Sequence, residues 1–233
     1  MTFPEPGPIR AVLFDFHSTL VDQGNPVTWL ELAWARAGRG TNPTDDLGVA
    51  GRDELASWVN RIWEHVREVD PANERDLSPA RHREVYDTLM DKVDAIDDTL
   101  AHALYECMLE TWIPYTDTIE VLTELRRRGV RIALVSNVGI DVRPVLEAGE
   151  LTHLFDAVVL SYEVGSVKPA APIFERALDA VGVSPQNALM VGDSPHDDVG
   201  AALLGIRTLI LPRTSGERHG LDVVLGLVPG VGV

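Results

Sequence analysis

The sequence predicts an α/β fold, a Rossmann-like doubly wound parallel sheet carrying an inserted helical cap domain. Five short apolar runs predict the sheet: Ala11–Phe14, Arg131–Val135, Ala157–Leu160, Ala188–Val191 and Thr208–Leu211. Continuous apolar runs of four or five residues read as strands buried on both faces. Segments of helical period separate most of them, and that alternation argues for parallel strands joined by right-handed crossovers. The gap between the first two runs is far too long for one crossover, which predicts the insertion.

The elements follow in order. After the first run, residues 24–112 carry helix signals and no strand signal. Leu55, Trp58, Val59, Ile62, Trp63 and Val66 keep the i, i+3, i+4, i+7 spacing of one buried helix face. Tyr86, Leu89, Met90 and Val93 repeat it, and Leu100, Leu104 and Met108 recur at four-residue steps. Trp34, Trp58 and Trp63 are expected to pack inside these helices. His82, between Arg81 and Arg83, reads as part of a solvated helix face. Gly24-Asn25-Pro26 and Ile113-Pro114 are the expected hinges. Residues 1–23 with 113–233 then form the core, and 24–112 the cap. Asp117–Gly129 and Ile173–Gly182 read as crossover helices with a starter near one end and glycine near the other. Arg126, Arg127 and Arg128 complement the C-terminus of the first. Leu221–Val233 is apolar and glycine-rich, and no element is assigned to it.

Composition narrows the function classes. With 233 residues the chain can bury a substantial core, and 45% hydrophobic with 24% charged residues is ordinary for a globular protein. A formal net charge of −16 repels nucleic acid and anionic lipid, so neither is an expected partner. No apolar run approaches the roughly 20 residues that span a bilayer, and Met1–Arg10 lacks the pattern of a signal peptide. Cys107 is the only cysteine, which excludes an internal disulfide and suits a cytoplasmic protein. The oligomeric state is left open by the sequence.

In an open parallel sheet, ligands bind beyond the carboxyl ends of the strands. The residues following the apolar runs are therefore informative: Asp15 and His17, then Ser136 and Asn137, then Lys168 in the loop after the third run, then Gly192-Asp193. Together they bring carboxylates, a hydroxyl and an ammonium to one rim, a set suited to holding a phosphoryl group and a divalent cation. A carboxylate can attack phosphorus and split one hard step into two easier ones. Mutual repulsion of the two anions requires a hard cation and an ammonium to offset it. Asp15 and Asp193 would share Mg²⁺, while Lys168 and Ser136 would meet the phosphoryl oxygens. Thr19 is expected to order the loop through its hydroxyl.

Phe14-Asp15-Phe16-His17-Ser18-Thr19-Leu20, Val135-Ser136-Asn137, Val167-Lys168-Pro169 and Val191-Gly192-Asp193-Ser194 with Asp198 resemble the four motifs of the haloacid dehalogenase-like hydrolase superfamily. Leu151–Phe174, with its Phe155-Asp156 and Glu163-Val164-Gly165, is also similar to that family. The resemblance implies a Rossmann-like core with a helical cap inserted after the first motif, closing over the rim to select the substrate. It implies Asp15 as nucleophile and Mg²⁺ held by Asp15, the backbone carbonyl of His17, Asp193 and one of the adjacent acids Asp197 and Asp198. The spacing from Asp193 favours Asp198. Ser136, Asn137, Lys168 and Thr19 fall in the family's phosphate-binding positions.

One position departs from the pattern. Phosphatases of the superfamily mostly carry a second aspartate two residues after the nucleophile, as general acid and base, and here that residue is His17. Its imidazole is either a proton shuttle or the mark of a weakened enzyme. Nearby Mg²⁺ disfavours the imidazolium needed to protonate a leaving group, whereas deprotonating water stays possible. The expectation is a Mg²⁺-dependent hydrolase of a small phosphorylated substrate with a good leaving group. The alternatives are a metal-independent 2-haloacid dehalogenase, whose branch also lacks the second aspartate, and a phospho-ligand-binding or regulatory relative.

Overall fold

The structure is a computed structural model that describes residues 7–228; residues 1–6 of the N-terminal stretch and 229–233 of the apolar C-terminal stretch lie outside the described residues. The chain divides into two compact units, Met1–Asp22 with Pro114–Val233, and Gln23–Ile113. Its strands are β1 (Ala11–Phe14), β2 (Val21–Asp22), β3 (Ile113–Pro114), β4 (Arg131–Ser136), β5 (Ala157–Leu160), β6 (Ala188–Gly192) and β7 (Arg207–Ile210). Helices α1 (Pro26–Arg36), α2 (Thr44–Asn60), α3 (Val66–Val69), α4 (Pro79–Met90) and α5 (Asp98–Cys107) lie between β2 and β3. After β3 come α6 (Thr118–Arg127), α7 (Arg143–Ala148), α8 (Ser161–Val164), α9 (Ala171–Val181) and α10 (Val223–Leu227).

The first unit is built on one five-stranded sheet in the order β5-β4-β1-β6-β7, every neighbouring pair parallel. From β1 the chain adds β4 and β5 on one side, then crosses to add β6 and β7 on the other. The reversal falls beside β1, the switch point at which open α/β sheets bind ligands. All of β1 and β6, and all of β4 after Arg131, are buried, which is why these strands read as unbroken apolar runs. On one face Leu13, Ala133, Val135 and Met190 join Ile173, Phe174, Ala177, Leu178 and Val181 of α9 in a single core. Pro172 starts α9 and Gly182, at φ 67°, ends it in the left-handed conformation that glycine adopts without a Cβ penalty. Full burial of Phe174 or Ile173 contributes about 1.5–3 kcal/mol each.

The three arginines stand at the C-terminus of α6 as expected, Arg126 and Arg127 in its last turn and Arg128 at the cap, and their side chains reach separate partners. Arg127 and Arg128 pair with Glu124, Arg128 also donates to the carbonyl of Leu225 in α10 at 2.7 Å, and Arg126 reaches the carbonyl of Leu154 at 3.2 Å. The unassigned C-terminal stretch thus contains a short helix held partly by Arg128.

Up to Ile113, where β3 begins, the described residues of the second unit form only helices, turns and loops. Asn25 caps α1 by accepting from the Val27 amide at 2.8 Å, with Pro26 in the first turn. The Trp29 indole donates to the carbonyl of Leu104 at 2.8 Å, fixing α1 on α5. Trp34 is fully packed, while Trp58 and Trp63 are half-buried. The stripe from Leu55 to Val66 is not one helix: α2 ends at Asn60, Ile62–Glu64 forms a 3₁₀ turn, and α3 follows. Arg61 leaves the helical region at φ −104° and ψ 13°, yet Ile62 and Val66 stay buried, so the apolar spacing runs across the break. Helix α4 likewise stops at Met90, short of Val93, and Met108 begins a 3₁₀ turn after α5.

His82 corrects the reading of a solvated face. It is 4% exposed, its Nδ1 lies 2.9 Å from the Tyr105 hydroxyl, and its ring packs against Trp63. Burial, helped by the charge of Arg75, pushes its pKa down to about 3. The folded protein therefore keeps His82 neutral while the unfolded chain protonates it near 6.5. Its contribution to stability is present above pH 6.5 and is lost as pH falls towards 3. Thermal melts should show stability falling by up to about 1.4 kcal/mol per pH unit from this group across that window. His82→Gln should flatten the slope. An unchanged slope in the variant would assign the acid sensitivity elsewhere.

Candidate active site

Every residue of the candidate site lies in the first unit, at the carboxyl edge of its sheet. Phe14 sits in register with Leu134 of β4 and Val191 of β6, so Asp15 emerges between the ends of both neighbours. Its amide donates to the carbonyl of Val191 at 2.9 Å, extending the pairing one residue beyond the strand. A tight loop follows in which the Phe16 carbonyl accepts from the amides of Thr19, Leu20 and Val21, at 3.2, 2.8 and 3.2 Å. Ser18 takes a left-handed φ of 63° to close it. The loop returns the buried Thr19 hydroxyl to 3.4 Å from Asp15 Oδ2.

On the other side, Lys168 Nζ donates to Asp15 Oδ1 at 2.6 Å and to Asp198 Oδ1 at 2.7 Å. Its side chain is 2% exposed. The Asn137 carboxamide, expected at the phosphate, is committed to the main chain of Lys168: its Nδ2 donates to the Lys168 carbonyl at 2.9 Å and its Oδ1 accepts the Lys168 amide at 2.7 Å. This clamp ties the residue after β4 to the loop after α8 and fixes the main chain from which the Lys168 side chain extends. Ser136, buried at the end of β4, precedes it. The Ser194 amide donates to Asp198 Oδ2 at 2.9 Å. Position 192 must be glycine, because a Cβ there would overlap the Asp198 carboxylate.

Of the two adjacent acids, Asp197 turns away to its own loop, accepting from Ser194 Oγ at 2.9 Å, and Asp198 turns in. Asp15, Asp193 and Asp198 each place a carboxylate oxygen within 4.8 Å of the other two. His17 is half-buried in the loop, its Nδ1 3.2 Å from the Ser18 hydroxyl.

Electrostatics in this cluster are strong because the groups are out of water. Burial pushes the Asp15 and Asp198 carboxyls above the ordinary aspartate range, against the pull of Lys168. Burial also favours a neutral lysine, but the two carboxylates outweigh it and hold the Lys168 ammonium above the usual lysine range. The triad offers hard oxygen donors around one point and carries more negative charge than one lysine offsets. Asp15, Asp193 and Asp198 are thus placed to chelate a divalent cation, and the donor set suits Mg²⁺.

Three supporting residues escape the strand-end reading of the sequence. Arg213, three residues past β7, rests its Nε against Asp193 Oδ2. His219 places its Nε2 2.8 Å from the Ser18 carbonyl, bracing the loop after Asp15. Asp117, expected as a helix starter, accepts from the amides of His219, Gly220 and Leu221 at 3.0, 2.8 and 2.9 Å.

Fold and site together define a Rossmann-like α/β protein with a carboxylate triad and a buried lysine at its switch point. The chain belongs to the haloacid dehalogenase-like hydrolase family, whose profile matches residues 9–205. It is 34% identical over 186 residues to the phosphoserine phosphatase of Thermus thermophilus, covering 79% of this chain and 64% of that protein. The chain spans only half to two thirds of the length of the curated relatives it matches. Among solved structures it superposes on a HAD phosphatase from Thermococcus onnurineus with a TM-score of 0.65, at 24% identity over 97% of this chain and 100% of that one. The L-2-haloacid dehalogenase of Xanthobacter autotrophicus gives 0.65 at 23% identity, over 95% and 84%. At these identities the superpositions establish the shared fold. No helix among the described residues is long and apolar enough to cross a membrane.

Proposed function

We propose that this chain is a Mg²⁺-dependent hydrolase of a small phosphorylated molecule, acting through an aspartyl-phosphate on Asp15. The observation that carries the reading is the grip on Asp15, held by Lys168 at 2.6 Å and Thr19 at 3.4 Å within a three-carboxylate cluster. The family's phosphoserine phosphatase from Thermus thermophilus supports a phosphate monoester as substrate class. The helical insertion Gln23–Ile113 supports the helical-cap subclass. The lone buried thiol of Cys107 fits a reducing cytoplasm.

In the first step Asp15 attacks phosphorus, the bond to the leaving oxygen breaks, and that oxygen departs with the electron pair. In the second, water attacks phosphorus, the Asp15–phosphorus bond breaks, and the water's proton passes to the His17 imidazole. Thr19 orients Asp15, Lys168 and Ser136 meet the phosphoryl oxygens, and Asn137 fixes Lys168. Asp15, Asp193 and Asp198, with the His17 carbonyl, would hold the cation, which would supply neutralisation between two anions that otherwise repel.

Because His17 stands where the family's phosphatases mostly carry an acid, leaving groups that depart unprotonated should dominate. With Mg²⁺, an aryl phosphate should turn over at least about 100-fold faster than a simple alkyl phosphate, the usual scale of general acid catalysis. Comparable rates would sink the role given to position 17. Hydrolysis of a 2-haloacid insensitive to EDTA, with no phosphatase activity, would replace this reading by the dehalogenase one. Phosphate binding with no turnover of any substrate would leave a phospho-ligand binder.

A further inference from the structure

Each carboxylate of the triad has a basic partner, and the two bases are held in opposite ways. Lys168 is buried, shared between Asp15 and Asp198, and clamped at its main chain by Asn137. Arg213 touches Asp193 while its own side chain is 73% exposed, against 4% for Asp193. The backbone beyond Arg213 is pinned: the Tyr115 hydroxyl donates to the Thr214 carbonyl at 3.4 Å, the Thr116 amide to the Glu217 carbonyl at 2.8 Å, and Asp117 ties down His219 to Leu221. The guanidinium is therefore free to rotate into water without carrying the chain with it.

We infer that Arg213 is a displaceable counter-cation, which competes with the divalent cation for Asp193 and so sets the cation concentration at which the site loads. This rests on the Mg²⁺ reading above. A guanidinium and a hard cation on one carboxylate repel each other and divide its lone pairs. By linkage, the free energy with which Arg213 holds Asp193 is subtracted from cation binding. Lys168 is not suited to this role, since its side chain is 2% exposed and its ammonium is shared between Asp15 and Asp198. The charges fit the role: three carboxylates against Lys168 alone leave two uncompensated negative charges near one point, and Arg213 reduces them to one.

Calorimetric titration with Mg²⁺ and no substrate tests this on the full chain. Arg213→Gln should bind Mg²⁺ roughly tenfold more tightly than wild type, within the range of coupled binding equilibria. Arg213→Lys should stay close to wild type. In an Asp193→Asn background, Arg213→Gln should give no gain, because the contact it relieves is gone. Equal or weaker Mg²⁺ binding by Arg213→Gln, or the same gain without Asp193, overturns the inference while leaving the hydrolase reading intact. Absence of Mg²⁺ binding in folded wild type and in both Arg213 variants overturns the two together.

Discussion

Asp15→Asn is expected to give a folded protein whose phosphate-ester turnover is lower by about 10⁴- to 10⁶-fold, the usual cost of deleting a covalent nucleophile. The amide keeps an oxygen that can accept from Lys168, so the geometry of the cluster survives. It has no anionic lone pair with which to form the bond to phosphorus. The sign of the stability change follows from the electrostatics. Burial raises the Asp15 carboxyl, so its ionised form is disfavoured in the folded protein, and a neutral residue there relieves that penalty. The melting midpoint at neutral pH should therefore be unchanged or higher, while activity vanishes. Retention of more than a few per cent of turnover, in protein free of aspartate regenerated by deamidation at position 15, would remove Asp15 as the nucleophile. A lower midpoint would contradict the electrostatic account without touching the chemistry.

What the sequence made legible divides along physical lines. Strands buried on both faces leave an uninterrupted apolar signature, so Ala11–Phe14 and Ala157–Leu160 are observed with the limits expected for them. Helix ends in the insertion were not legible, since a 3₁₀ turn such as Ile62–Glu64 preserves the burial spacing that a continuing helix would show. His82 was legible but misread. Its arginine neighbours point elsewhere because successive helical residues are about 100° apart. Its true partners are Val85, Tyr86, Leu89 and Met90, at i+3, i+4, i+7 and i+8 of one buried stripe.

The rule of examining the residue after each strand reaches Asp15 and Asp193 of the carboxylate cluster, and the loop position Lys168 that pairs with Asp15. Applied to the fifth strand it would also have reached Arg213, just past Leu211-Pro212. The paired use of Asn137 on the Lys168 main chain carries no sequence signal, because it depends on the distance between the end of β4 and the loop after α8. The contact of His219 with the Ser18 carbonyl, across some two hundred residues of chain, is invisible for the same reason.

Lys168→Met should cost more in stability than any other single change in this cluster, and the reason also explains why the lysine must be buried. The ammonium lies 2.6 Å from Asp15 and 2.7 Å from Asp198, and no other basic side chain is paired with either carboxylate among the described residues. Methionine fills similar volume but leaves two buried carboxylates facing each other. Removing one member of such a buried ionic group typically costs about 3–5 kcal/mol, or on the order of 10 °C in the melting midpoint at this chain length. The variant should also respond to pH in a defined direction. With the lysine gone, Asp15 and Asp198 are raised further above the unfolded aspartate value, so the folded state holds a proton that the unfolded chain releases. Stability is then fully present below the unfolded pKa of about 3.9 and declines as pH rises through the higher folded values. Lys168→Met should accordingly recover part of its lost midpoint between pH 7 and pH 5, relative to wild type. Saturating Mg²⁺ should recover part of it at pH 7, by restoring positive charge to the same carboxylates. A midpoint equal to wild type at both pH values would show that the ammonium offsets nothing in the fold, and that its place between the two aspartates serves the substrate alone.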